Sequence, residues 1–167
     1  MELKLEGKYT YHIQIPTMFR TYKTSYTNHN LITTNGLNFL VKQWNNEDGE
    51  ITEIILGTSN ETPNIHDTID TFNNPYRFNV DCHTDDNKLI MSTTNLSGEH
   101  LNNTREIGVI ADTTTQVEDD ETHEMTTQNT KILVSRSVHP IINIPTTSLI
   151  SLEYEYILTS VNIDECE

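Results

Sequence analysis

The sequence predicts a mainly β protein, a two-sheet β-sandwich of about eight strands with one short α-helix near residues 36–45. Three observations carry that expectation. The chain holds 26 Thr and 18 Asn. Thr suits strands because its branched Cβ fits a pleated surface, and Asn suits turns because its short amide bonds to nearby backbone. Several short segments alternate apolar and polar residues, and a single segment shows the 3.6-residue period of a helix. At 167 residues the chain is read as one domain, residues 1–167, large enough to bury a proper core.

The elements follow in order. Tyr9-Thr10-Tyr11-His12-Ile13-Gln14-Ile15 alternates with period two and stops at Pro16, and the aromatic, Thr-rich 19–27 follows as a hairpin partner. Thr34 or Asn35 is the candidate helix cap, with Leu37, Leu40, Val41 and Trp44 on one helical face. Ile51–Leu56 is a short apolar strand ending at Gly57, and Asp67-Thr68 starts a helical turn towards Phe72. Segments 77–83 and 88–96 flank the turn Thr84-Asp85-Asp86-Asn87, a hairpin pattern. Glu106–Ala111 is a strand, and residues 112–130 read as a long acidic polar loop or mobile hairpin tip. Segments 131–138 and 149–158 close the set, and residues 160–167 form an acidic C-terminal tail.

The formal charge is −15, from 25 acidic and 10 basic residues. Such a field repels phosphate backbones and argues against nucleic-acid binding. Mean hydropathy is −0.53, and the longest apolar runs are far too short to span a bilayer. The first residues carry no signal-peptide pattern, so synthesis in the cytoplasm and no membrane partner are expected. The two cysteines, Cys82 and Cys166, form neither a CxxC pair nor a disulfide framework.

Catalytic signatures are missing from the sequence: HExxH, GxSxG and GxxxxGK[ST] do not occur, and no enzyme activity or cofactor is expected. Asp81 and His83 fall on one face of a strand, but a metal there would need a further ligand from elsewhere. Glu118, Asp119, Asp120 and Glu121 are weak calcium candidates without the ligand order of a calcium loop. Tyr9, Tyr11, Tyr22, Tyr26, Tyr154 and Tyr156 pair at strand spacing, and read either as a sugar-stacking platform or as core edge and subunit interface. The interface candidates are Tyr9, Tyr11, Ile13, Tyr154 and Tyr156, on two strands (9–15 and 149–158) whose edges would extend a neighbour's sheet.

Five pieces, in order, resemble a pattern in small β-rich structural proteins of tailed viruses of bacteria and archaea. They are the helix segment Asn30-Leu31-Ile32-Thr33-Thr34-Asn35-Gly36-Leu37; the strand end Leu56-Gly57-Thr58 with Pro63 and Asp67-Thr68 behind it; Glu106-Ile107-Gly108-Val109; Leu133-Val134-Ser135-Arg136-Ser137-Val138; and the closing segment 149–157. Ser59 stands where the pattern has a second glycine, and the acidic insert 112–130 is longer than the usual link. The resemblance covers roughly two thirds of the chain.

It implies a non-enzymatic virion protein, a tail, baseplate or fibre-adaptor component. Its partners would be other virion proteins and further copies of itself, as a homo-oligomer (trimer or hexamer) on the virion surface. A capsid decoration or neck protein is the close alternative. A module binding a host glycan, with weak calcium dependence, is the alternative from another class.

Overall fold

The computed structural model describes residues 2–44, 49–118 and 125–161. The period-two segments become strands, and there are nine of them. In chain order they are β1 (Glu2–Pro16), β2 (Thr21–Ile32), β3 (Glu50–Gly57), β4 (Tyr76–Asn79), β5 (Asp81–Asp85), β6 (Lys88–Ser97), β7 (Glu106–Glu118), β8 (Met125–Val138) and β9 (Leu149–Val161). Helix α1 (Thr34–Trp44) follows β2, and a six-residue helix α2 (Gly98–Asn103) follows β6.

All ladders are antiparallel, in the order β4-β3-β7-β8-β2-β1-β9-β6-β5, and the sheet is nearly closed into a barrel. Closure is built into the sequence at Val80. The two outermost strands, β4 and β5, are separated by that residue alone, and its N–H donates to the Thr52 carbonyl of β3 (3.2 Å). One bent segment therefore supplies both edges and protects them.

The mainly β expectation holds, but the strands do not divide into two separate sheets. β2 belongs to both halves: it pairs with β1 from Pro16↔Thr21 to Gly7↔Asn30, then leaves β1 and pairs with β8 at Leu31↔Arg136 and Ile32↔Ser135. A shared strand makes a corner where a sandwich would have a gap.

Inside, alternate residues interlock. Tyr9, Tyr11 and Ile13 of β1 face inward beside Ile150, Leu152, Tyr154 and Tyr156 of β9, with Ile107, Val109 and Ala111 of β7 and Ile54 and Leu56 of β3 across the barrel. A second, smaller core lies on the outer face. Ile55, Ile110 and Leu133 point outward there and are covered by Phe72 and Ile69 from the 58–75 segment. That segment holds a 3-10 turn at Ile69–Thr71, where the expected helical turn falls.

Helix α1 begins at Thr34, two residues before the expected 36, and neither Thr34 nor Asn35 is its cap. Thr33 is its cap: the hydroxyl accepts from the Gly36 N–H (3.0 Å), and its carbonyl accepts from Leu37 (2.8 Å). Gly36 sits flat on β8, where a Cβ would run into the Val134 carbonyl. Anchoring through Gly36 turns Phe39 and Leu40 inward and leaves Leu37 47% and Val41 49% exposed. The expected apolar face is thus rotated, with half of it in solvent.

Of the two expectations for the segment 112–130, the described residues follow the hairpin and not the loop. β7 runs on to Glu118 and β8 begins at Met125, and they pair as a hairpin from Asp112↔Lys131 to Glu118↔Met125. Thr-rich polar sequence makes good strand when its edge is paired, because its β-branched side chains suit the pleat. The hairpin tip and the tail beyond Val161 lie outside the described residues.

Candidate functional site

The most organised polar constellation sits where the outer segment meets the barrel. The topology brings together Asp67, from the loop after β3, Glu106 at the start of β7, and Arg136 near the end of β8. Arg136 and Glu106 are fully buried. The Arg136 guanidinium donates to Glu106 Oε2 from both Nε (3.0 Å) and Nη2 (2.8 Å), and to Asp67 Oδ2 from Nη1 (2.8 Å). Glu106 Oε1 accepts from the Ser59 N–H (2.9 Å), and Asp67 Oδ2 also accepts from the Asn64 N–H (2.8 Å).

Burial works against the charge on Arg136, but its bonds to Asp67 and Glu106 outweigh that and raise its pKa. Phe72 lies under the guanidinium at 5.7 Å. Gly57 is required here because a Cβ would strike the Glu106 carboxylate. The carboxylates are engaged by donors from two chain segments, β8 and 58–75, so the cluster works as a staple between loop and barrel.

A second constellation lies inside the barrel. Ser135 Oγ bonds Tyr154 (2.7 Å) and Tyr156 (2.5 Å), and Tyr9 reaches Ser137 (3.5 Å). Tyr11 Oη lies 3.4 Å from His139 Nε2, and His139 Nδ1 lies 2.9 Å from the Pro140 carbonyl. The geometry fits a neutral ring that donates from Nδ1 and accepts at Nε2. Burial lowers the His139 pKa, and the Pro140 bond offsets part of that. Burial raises the Tyr9 phenol to about 12. For Tyr11, Tyr154 and Tyr156 the direction is upward from the ordinary phenol value, with burial the first cause, and all four act as hydrogen-bonded core.

This corrects the interface expectation. Tyr9, Tyr11, Ile13, Tyr154 and Tyr156 are each at most 3% exposed, so they present no ring or edge to a partner or a sugar. Their strands are not free edges either: β1 lies between β2 and β9, and β9 lies between β1 and β6. The cause is the long-range insertion of β9 beside β1, which local periodicity does not report.

The remaining candidates lie apart from these clusters. Asp81 and His83 are exposed on β5, and among the described residues no group of three or more His, Cys, Asp or Glu side chains could hold a metal. The Cys82 Sγ rests 3.5 Å from the Ile51 carbonyl, and burial, with Glu50 and Asp81 nearby, raises the thiol to about 11. Glu118 ends β7, whereas Asp119, Asp120 and Glu121 fall outside the described residues. No described helix is long and apolar enough to cross a membrane.

Two surface features escaped the sequence reading. The β1–β2 turn exposes Met18 (90%) and Phe19 (93%) at its apex. At the other end of the same hairpin, where β2 leaves β1, an open groove of about 500 Å³ is lined by Leu5, Asn30, Leu31, Ile32 and Leu37. The consecutive apolar pair inside a turn, Met18-Phe19, was the available signal for the first. Nothing local signalled the second. Against known proteins, the chain matches no family model, no curated protein and no solved structure.

Proposed function

We propose that this chain is a non-enzymatic structural protein of a tailed-virus particle, a tail, baseplate or fibre-adaptor component that assembles through symmetric interfaces with other virion proteins. One observation carries the reading. The pieces that resemble the tailed-virus pattern are scattered in sequence, yet they converge in space. Asp67 of the Asp-Thr piece, Glu106 of the Glu-Ile-Gly piece and Arg136 of the Arg-bearing strand form one buried ion cluster. Gly57 makes room for that cluster, and Gly36 of the helix piece seats on the strand that bears Arg136.

Residues that meet this way specify how a loop and a helix lock onto a barrel. They are spent on architecture, which is what a particle building block requires. The net charge of −15 supports the reading too, since subunits must stay soluble until they meet their partners.

The test is to purify particles from a producing host and look for this chain by mass spectrometry, then place it with a gold-labelled antibody. Label on the tail or baseplate is expected. Label on the head or neck would move the protein to the decoration class, and its absence from particles would overturn the reading.

A further inference from the structure

The β1–β2 hairpin carries an apolar tip at one end and an apolar groove at the other. At the tip, a four-residue turn is held rigid from within. The Thr17 N–H donates to the Arg20 carbonyl (3.0 Å), and the Thr17 hydroxyl donates to that carbonyl (2.6 Å) and lies 3.2 Å from the Arg20 N–H. Met18 and Phe19 are thereby held out in solvent, with Tyr22 half-exposed behind them under the Arg20 guanidinium (4.3 Å). Exposed large apolar side chains fixed on a rigid turn are costly to leave wet.

The groove at the opposite end has the matching character. Leu31 and Leu37 are partly exposed, and Val41 extends the apolar surface along α1. Both polar atoms of the Asn30 side chain are out of solvent and without a partner. In β1, residues 4–6 pair with β9 alone, because β2 has already turned towards β8. The site therefore shows apolar contacts left open and a side-chain amide left unbonded.

Tip and groove cannot meet within one chain. They stand about eleven strand residues apart on the same hairpin, roughly 35 Å at 3.3 Å per residue. The charge pattern identifies who can supply the other half. Residues 7–46 hold none of the 25 acidic residues and four of the ten basic ones. Two copies meeting through the faces that carry the 25 acidic residues bring acid against acid, whereas this stretch, the longest without an acid, carries no such penalty. Glu6, the one acid on the groove wall, is already paired with Lys4.

We propose that the β1–β2 tip of one copy docks into the β1–β2–α1 groove of a second copy, with Met18 and Phe19 on Leu31, Leu37 and Val41. The contact is head-to-tail, so repetition closes a ring or extends a filament. It deepens the assembly reading and rests on it.

The experiment measures solution mass by light scattering on a sizing column, for the wild type, Phe19→Ser, Leu37→Ser and an equimolar mixture of the two variants. Circular dichroism checks that both variants fold. The wild type is expected at a multiple of 19.2 kDa and each variant alone at 19.2 kDa. The mixture is expected to stop at twice that mass, because Phe19→Ser keeps an intact groove and Leu37→Ser an intact tip. A monomeric wild type at every concentration, variants that keep the wild-type mass, or a mixture that stays monomeric would each overturn the docking. Failure separates from that of the virion reading: a chain found in particles but monomeric in solution sinks only the docking. A chain that self-associates but is absent from particles sinks only the virion reading.

Discussion

The Arg136 cluster and the β1–β2 hairpin are solved in opposite ways. Around Arg136 the strong groups are answered from inside the chain: Arg136 by Glu106 and Asp67, the outward Ile55 and Ile110 by Phe72. Where β2 leaves the turn after Pro16, Met18 and Phe19 are answered by nothing in the described chain. Met18 and Phe19 stand in the longest acid-free stretch of a −15 chain, residues 7–46, and the proposed docking would cover them.

That contrast predicts which substitutions cost stability. Arg136→Ala leaves Glu106 buried without its counter-charge, and the expected loss is about 3–5 kcal/mol by urea unfolding. The double change Arg136→Met with Glu106→Leu should cost much less than the sum of the two single changes, since the fully buried charge leaves with its partner and only Asp67, held by the Asn64 N–H, loses its counter-charge. A loss under about 1 kcal/mol for Arg136→Ala would mean the staple is dispensable and would erase the contrast.

Next in size is Gly36→Ala, which pushes a methyl into the Val134 carbonyl and lifts α1 off β8. About 1–3 kcal/mol is expected from overpacking, read by the same unfolding curves.

The pH dependence is smaller and has a definite sign. The folded-state pKa of His139 lies below its ordinary 6.5, so the unfolded chain binds the proton first. Stability is therefore whole above 6.5 and falls as pH drops below it. Glu155 acts in a lower window. Burial raises its pKa, but bonds to Lys8 (2.6 Å) and Lys88 (3.2 Å) win and bring it below 4.5. Its contribution is present above 4.5 and disappears as pH falls through the folded value. Thermal melts should show both slopes, and His139→Gln should flatten only the upper one.

Smallest of all is Phe19→Ser, expected to change monomer stability by less than about 0.5 kcal/mol because the side chain touches solvent. A loss of 2 kcal/mol or more, on the scale of burying a large apolar side chain, would place Phe19 in a core and remove the tip as a docking element.

Local chemistry made much of the fold legible. The alternation of Tyr9–Ile15 marked a strand with one buried face, Asp85–Lys88 marked a hairpin, and the Asp67-Thr68 turn led to Phe72 as expected. What stayed hidden was decided by partners far away in sequence. The spacing of the β1 and β9 tyrosines leaves core edge, subunit interface and sugar platform open, because nothing near them shows that β9 inserts beside β1. The face of α1 was misjudged because Gly36, the smallest residue, made the closest contact, and hydrophobic spacing is blind to that. Residues 112–118 and 125–130 leave loop and hairpin both open because polar Thr and Gln side chains hide a ladder whose strength lies in the backbone. Asp67, Glu106 and Arg136 stood in the motif pieces, but only the folded topology joins them.

The central claim is that the β1–β2 face is where copies meet. Absolute mass by light scattering, for wild type and Phe19→Ser side by side, tests it most directly. The account predicts a multiple of 19.2 kDa for the wild type and a single 19.2 kDa species for the variant. Equal masses for the two proteins would contradict it.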